Sequence, residues 1–453
     1  MLAVLGFVGT LALVTGLIHL YLWKRLVRDT TRPGRWRRAG GAAALVLALL
    51  TPATLVGTNR GYYWLAWPGY LWLAVMFYLL VVLAVLEIPM LAARLALRFR
   101  RTGSEAVGAD GGAVAVEAGV VPDGALPLDA GAVPGRSAQS GAVPGGASGA
   151  PSGSTAAAGT PPAVPAAPPS APDHDPGRRL LLARGAAIFA GLTATGIVGY
   201  GVRRAFGPPE IDRVRIPLAK LPRGMDGLRI ATVSDIHIGP LAGRAHTERI
   251  VAMINRLDAD LVAVVGDLVD GTVGELGDAA APLRDLRSRY GSFFVTGNHE
   301  YYSGVEEWVV ELDRLGLRVL QNRRVEILAR GGALDLAGVN DPTGDDLGFA
   351  AGPDFDAALG GRDPSRPVVL LAHQPINVHE AARHGVDLQL SGHTHGGQLV
   401  PFNLVVGLQQ PVVSGHATID GTQLYVTNGA GFWGPPVRVG APPQVTLVEL
   451  RSA

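Results

Sequence analysis

Hydrophobic positions along this chain follow two regimes. Up to about residue 204 they gather in long runs: 2–23, broken only by His19, then 39–56, then 69–93, which carries Glu87 near its end, and finally 185–202. Each run is close to the roughly 20 residues that cross about 30 Å of hydrocarbon, so four transmembrane helices are expected. After Pro209 the runs shorten to about five residues and alternate with stretches of helical spacing, the pattern of strands layered against helices. Strands are expected at 228–233, 261–265, 293–296, 368–371 and 387–390. Those at 333–339, 424–427 and 445–448 imply a second sheet. Helices are expected at 244–257, with Ile250, Met253, Ile254 and Leu257 on one face, and at 305–315, with Val305, Trp308, Val309 and Leu312.

Basic residues orient the apolar runs. Lys24, Arg25, Arg28, Arg32, Arg35, Arg37 and Arg38 lie between the first two, whereas the connection to the third holds Arg60 alone among Tyr62, Tyr63, Trp64 and Trp67. The basic loop is expected in the cytoplasm and the aromatic one outside. Arg94, Arg98, Arg100 and Arg101 then return the chain to the cytoplasm, and the parity of spans places the region after the fourth one outside. A cleavable signal is disfavoured for the first run, because no Lys or Arg precedes it. Arg178-Arg179 ahead of a Gly/Ala-rich apolar stretch resembles a twin-arginine export signal. His19 and Glu87 sit near span ends, where interfacial placement is commoner than an intramembrane proton path.

Composition refines the division. Gly, Ala, Pro and Ser dominate 102–177, too poor in large apolar side chains to offset the entropy of ordering, so a disordered linker is expected there. The expected organisation is a membrane domain at 1–101, the linker at 102–177, a fourth span or signal anchor at 178–204 and a globular domain at 209–453. Net charge is +1, which gives no reason to expect a nucleic-acid partner. With no cysteine, the chain has neither a disulfide framework nor a thiolate ligand, and any metal must be held by His, Asp and Asn.

Five polar blocks in the globular part carry the candidate chemistry: Asp235-Ile236-His237, Gly266-Asp267-Leu268-Val269-Asp270, Gly297-Asn298-His299-Glu300, Ala372-His373-Gln374-Pro375 and Ser391-Gly392-His393-Thr394-His395-Gly396-Gly397. Almost every block comes after an expected strand, and strand ends are where α/β folds place chemistry. Asp, His and Asn donors suit borderline divalent cations such as Mn²⁺, Fe²⁺ and Zn²⁺. Asp235 and His237, and likewise His393 and His395, are two apart and would share one face of a continuing strand. The Asp267 carboxylate can bridge two cations about 3.5–4 Å apart, as two-metal hydrolases require. Asn298 offers a neutral oxygen and His373 an imidazole. Any one of these histidines alone is more often a surface or core residue; five blocks at strand ends are not explained that way.

Taken in order, DxH, GDxxD, GNHE, a His-bearing strand end and GHxH, the blocks resemble the calcineurin-like metallophosphoesterase superfamily, over about 228–450. The resemblance implies an α/β, four-layer αββα sandwich preceded here by transmembrane helices. It implies one ion held by Asp235, His237, Asp267 and His395 and a second by Asp267, Asn298, His373 and His393. It also implies that His299, oriented by Asp270, acts on the leaving group. Gly429–Arg438 resembles the closing element of a bacterial membrane-anchored branch, in which Phe432, Trp433 and Arg438 are candidates for substrate contact, as is His416 beyond the last block. Gly271, where protein Ser/Thr phosphatases of the superfamily carry arginine, argues against phosphoprotein substrates. The expectation is a membrane-anchored phosphoesterase with two divalent ions, acting outside the cytoplasmic membrane on a diester, pyrophosphate or monoester, with lipid-linked or envelope substrates favoured by proximity. A non-catalytic metal-binding receptor is the alternative, and a transporter fused to a hydrolase ranks last.

Overall fold

The computed structural model describes residues 2–58, 60–107, 176–347 and 352–453. The apolar runs form α1 (Leu2–Trp23), α2 (Arg35–Thr58), α3 (Ala66–Val107) and α4 (Pro176–Ala205). Within the described residues Arg35–Thr58, Tyr63–Pro89 and Leu180–Ala205 are long and apolar enough to cross a membrane. The linker expectation falls mostly on 108–175, outside the described residues, while helix occupies both ends of the expected segment. Met1–Pro89 and Gly177–Ala453 make one compact unit and Met90–Pro176 a second; both sheets and all five polar blocks belong to the first. Glu87 pairs with Arg25 at 2.7 Å, and Trp72 Nε1 donates to His19 Nε2 at 3.0 Å, so each ionisable group has its own partner at a helix end or a helix contact.

Among the described residues the globular part has twelve strands: β1 (Glu210–Leu218), β2 (Leu228–Val233), β3 (Leu261–Val265), β4 (Ser292–Val295), β5 (Leu317–Val319), β6 (Arg323–Ala329), β7 (Gly332–Gly338), β8 (Val368–Leu371), β9 (Leu388–Ser391), β10 (Gly415–Ile419), β11 (Thr422–Val426) and β12 (Gln444–Ser452). They form two six-stranded sheets, ordered β1-β12-β2-β3-β4-β5 and β10-β11-β9-β8-β7-β6. The central strands β2 to β5 and β7, β8, β9 and β11 run parallel, so their C-terminal ends, and the polar blocks after them, gather on one edge.

Alternation along the strands builds the layers. Leu261, Ala263 and Val265 face the second sheet, packing with Ile230, Phe293, Leu336, Val369 and Leu388. Val262 and Val264 point the other way, against Ile250 and Ile254 of α5 (Arg244–Arg256) and Trp308 and Leu312 of α8 (Val305–Arg314), with α6 (Val273–Ala280) and α7 (Asn298–Ser303) between them in sequence. Phe355, Ala358 and Ala381 cover the outer face of β7 and β8. The result is a helix, sheet, sheet, helix sandwich. Strands β1, β5, β6 and β10 carry no strong apolar run; β1 and β10 lie at sheet edges, where every second side chain meets solvent. Trp308 is fully buried and its Nε1 donates to the Gly271 carbonyl at 2.9 Å, tying α8 to the loop after β3. Trp308→Ala is expected to cost about 3–5 kcal/mol, lowering the thermal midpoint of the purified chain by roughly 10 °C in near-UV circular dichroism.

Candidate metal centre

Asp235 and His237 come after β2, Asp267 and Asp270 after β3, Asn298 and His299 open α7, His373 comes after β8, and His393 and His395 after β9. The strand-face argument for the two-apart pairs does not hold, because β2 stops at Val233 and β9 at Ser391. Convergence comes from left-handed backbone instead: φ is 51° at Asp235, 50° at His237, 52° at Asp267, 71° at His393 and 52° at His395. Such conformations cost about 1–3 kcal/mol each for non-glycine residues and persist only where the surroundings hold them. Gly266, itself at φ 79°, lets the chain pass so close that a Cβ would lie 2.6 Å from His373 Nδ1.

Among the described residues three groups of donors result. Asp235, His237 and His395 present atoms within 4.8 Å of one another, as do Asp267, His373 and His393, while His237, Asp270 and His299 form another such group that shares His237 with the first. His237 Nε2 lies 3.0 Å from His395 Nε2, which is 3.2 Å from Asp235 Oδ1. In the second group His373 Nε2 is 3.1 Å from Asp267 Oδ2, and His393 Nδ1 is 3.0 Å from Asn298 Oδ1. The same Asp267 oxygen is 3.9 Å from His237 Nε2, so this carboxylate stands between the groups. Asp235, His237, Asp267 and His373 are at most 2% exposed, whereas Asn298, His299 and His393 are half-buried, which marks the open side.

The donors fit divalent cations. His237 Nδ1 is taken by Asp270 at 2.8 Å and His373 Nδ1 by the Val265 carbonyl at 2.8 Å, which turns both Nε2 atoms inward. His373 Nε2 is buried facing the Asp267 carboxylate, and carboxylate, amide and imidazole donors together suit Mn²⁺, Fe²⁺ or Zn²⁺.

Electrostatics separate the roles. Burial alone would raise the Asp235 and Asp267 pKa values, but the imidazoles beside them, His395 for the former and His373 and His299 for the latter, hold both carboxyls well below the usual range. Asp270 behaves likewise between His237 and His299. Burial would lower His299, yet the Asp267 and Asp270 carboxylates prevail and raise it to about 9. Its Nδ1 lies 2.8 Å from Asp270 Oδ1, and its backbone N–H donates to Asp267 Oδ1 at 2.9 Å.

The remaining expectations fare differently. Arg438 does not face a groove. It is 1% exposed, and its guanidinium is spent on the Gly431 carbonyl through Nε (2.9 Å), the His395 carbonyl through Nη1 (2.7 Å) and the His395 ring Nδ1 through Nη2 (3.1 Å). It props a ligand from behind. His416 is an exposed residue on edge strand β10, 3.1 Å from Gln423 Oε1, and is not gathered with the ligands. Phe432 is buried against Phe206, whereas Trp433 is 56% exposed with its ring 6.4 Å from that of His299. His246, on α5 outside the polar blocks, is 4% exposed, and burial lowers its pKa to about 4.

A family model described as calcineurin-like phosphoesterase matches residues 228–397. A Helicobacter pylori protein named as an uncharacterized metallophosphoesterase is 39% identical over 259 residues, 56% of this chain and 68% of its own. This chain belongs to the calcineurin-like phosphoesterase family. A Danio rerio protein named "Transmembrane protein with metallophosphoesterase domain" is 40% identical over 56% of this chain and 60% of its own. The Bacillus subtilis metallophosphoesterase YkuE is 30% identical over 61% of this chain and 97% of its own. Alignment takes in less than two thirds of the vertebrate relatives' lengths, and their presence shows that the similarity extends beyond bacteria.

Some neighbours of the site escape sequence reading. Glu300 is fully buried and accepts from the backbone N–H groups of Gly297 (2.6 Å), Asp267 (3.0 Å) and Leu268 (2.7 Å), fixing two ligand loops together. Burial and the Asp267 charge push its pKa up to about 7. Tyr302 is 62% exposed with its ring 5.6 Å from that of His299; one residue beyond the third block, it carried no signal except proximity in sequence. Arg438→Met is expected to weaken Mn²⁺ binding about 10- to 100-fold by calorimetry on the full chain, with the fold retained by far-UV circular dichroism.

Proposed function

We propose that this chain is a membrane-tethered phosphoesterase working through two divalent cations, Mn²⁺, Fe²⁺ or Zn²⁺. Its reaction is hydrolysis of a phosphodiester, pyrophosphate or phosphomonoester outside the cytoplasmic membrane. Lipid-linked or envelope esters are favoured because tethering raises the local concentration of substrates in the same membrane. The observation that carries this reading is the Asp267 carboxylate, a member of one donor group whose oxygen, 3.1 Å from His373 Nε2, is also 3.9 Å from His237 Nε2 of the other. The charge asymmetry of the loops and the apolar helices support the location.

Bound ions would supply Lewis acidity toward the phosphoryl oxygens and a hydroxide at neutral pH. Asp235, His237 and His395 would hold one ion, Asn298, His373 and His393 the other, and Asp267 would join them. His299 acts on the departing oxygen. Asp270 takes its Nδ1, which leaves Nε2 as the free end of the ring, and the neighbouring Asp270 carboxylate favours the protonated form of that ring. The same Asp270 oxygen holds His237, so ligand and proton donor share one anchor. Tyr302 and the exposed Trp433 both stand edge-on beside His299 as walls for the leaving group.

With the full chain in detergent and Mn²⁺, bis-p-nitrophenyl phosphate hydrolysis is expected to be abolished by Asp267→Ala. His299→Ala is expected to lower kcat about 10²- to 10⁴-fold. No metal-dependent turnover on any diester, monoester or pyrophosphate, or a His299→Ala chain as active as the parent, would reject the enzyme reading in favour of a metal-binding receptor.

A further inference from the structure

Immediately after the last ligand block the chain becomes apolar and stays uncharged from Gln398 to Gln410. Along this segment Val400 is 39%, Phe402 41%, Leu404 70%, Val405 53% and Leu408 87% exposed, an apolar surface that the globular domain leaves uncovered.

Contacts on the membrane helices show what that surface faces. They descend along α3. Trp67 stacks on Phe206 with ring centroids 5.6 Å apart, a Cβ on Gly434 would lie 3.8 Å from Tyr70, and Phe402 meets Phe77 edge-on at 6.4 Å. Phe77 is ten residues past Trp67 (77 minus 67), about 15 Å along a helix axis, inside the apolar stretch Tyr63–Pro89. Tyr62, Trp64 and Trp67, all exposed, form the aromatic band that marks a membrane boundary. On α4 the Arg438 N–H donates to the Gly201 carbonyl at 3.0 Å, and Leu399, Val437 and Val439 pack into the cluster formed by the membrane helices. The apolar segment therefore begins in contact with helices that cross the bilayer and continues, uncovered, at a depth below the aromatic band.

We infer that residues 399–408 are immersed in the bilayer and lie against lipid acyl chains, so that the metal centre opens at the membrane surface toward phosphate esters whose lipid tails stay in the bilayer. The distance in sequence is short, since Leu399 is four residues past the ligand His395. Gln398 joins the two regions: its Nε2 donates to the Trp433 carbonyl at 2.9 Å, and its Oε1 accepts from the Trp433 N–H at 3.0 Å. Trp433 in turn stands beside His299. A headgroup phosphate entering along this rim keeps its tail against Leu404, Val405 and Leu408 while its ester reaches His299. The substrate part of this inference rests on the phosphoesterase reading; the immersion part does not.

The natural chain has no cysteine, so single labels are clean. Full-length Leu408→Cys and Glu306→Cys chains, each carrying an environment-sensitive fluorophore, are reconstituted in phosphatidylcholine nanodiscs with or without acyl-chain bromine. The Leu408→Cys label is expected to emit at shorter wavelength and lose most of its intensity to brominated lipid, while the Glu306→Cys label on the exposed face of α8 does neither; the same holds in an Asp267→Ala background without turnover. A label that shows an aqueous spectrum, or one that is blue-shifted but unquenched because a second copy covers it, overturns immersion. For the substrate, Leu404→Ser with Leu408→Ser is expected to lower the ratio of turnover on a vesicle-borne phosphatidyl ester to that on bis-p-nitrophenyl phosphate about tenfold. An unchanged ratio overturns delivery from the bilayer while leaving the phosphoesterase reading intact.

Discussion

Asp235 and Asp267 bring two carboxylates into the interior, where a charge is tolerated only if other charges or strong donors answer it. Around them stand imidazoles whose outward nitrogens are already engaged, His237 by Asp270 and His373 by the Val265 carbonyl. The inward nitrogens and the carboxylate oxygens face one another across gaps of about the size a cation fills. Positive charge at this point is what the surrounding structure is arranged to receive.

The rest of the domain supplies the rigidity that such a cluster needs. Parallel strands of both sheets deliver their loops to one edge, and the sandwich core holds the strand ends. Five ligand residues in left-handed backbone would relax elsewhere if Glu300 did not clamp three N–H groups and Arg438 did not brace His395. Arg438 is also where the site meets the membrane part, since its own N–H is held by the Gly201 carbonyl of α4. One residue thus touches a candidate ligand with its side chain and, with its backbone, a helix long and apolar enough to cross a membrane.

Much of this was legible in the sequence because its signals are local. Apolar runs near 20 residues, and short buried strands that lead into DxH or GHxH, need no tertiary information. The site geometry was less so: alternation on a strand paired Asp235 with His237 and His393 with His395, but the former meet through left-handed turns that have no signature in non-glycine residues, and the latter join different donor groups. Strands β1, β5, β6 and β10 are short or charged on alternate residues, which hides them among loops. Arg438 was expected to meet substrate because Gly429–Arg438 resembles a closing element of the family; its burial is decided by tertiary contact with His395, 43 residues earlier. The apolar segment after His395 is too short to register as a membrane element, and only its contact with Phe77 gives it meaning.

The central claim is that Asp267 joins two ions in one centre. Electron paramagnetic resonance of the full chain loaded with Mn²⁺ tests it most directly, because a shared carboxylate couples neighbouring manganese spins. The account predicts a spin-coupled signal from a manganese pair. An uncoupled six-line spectrum from isolated Mn²⁺ at full loading would contradict it.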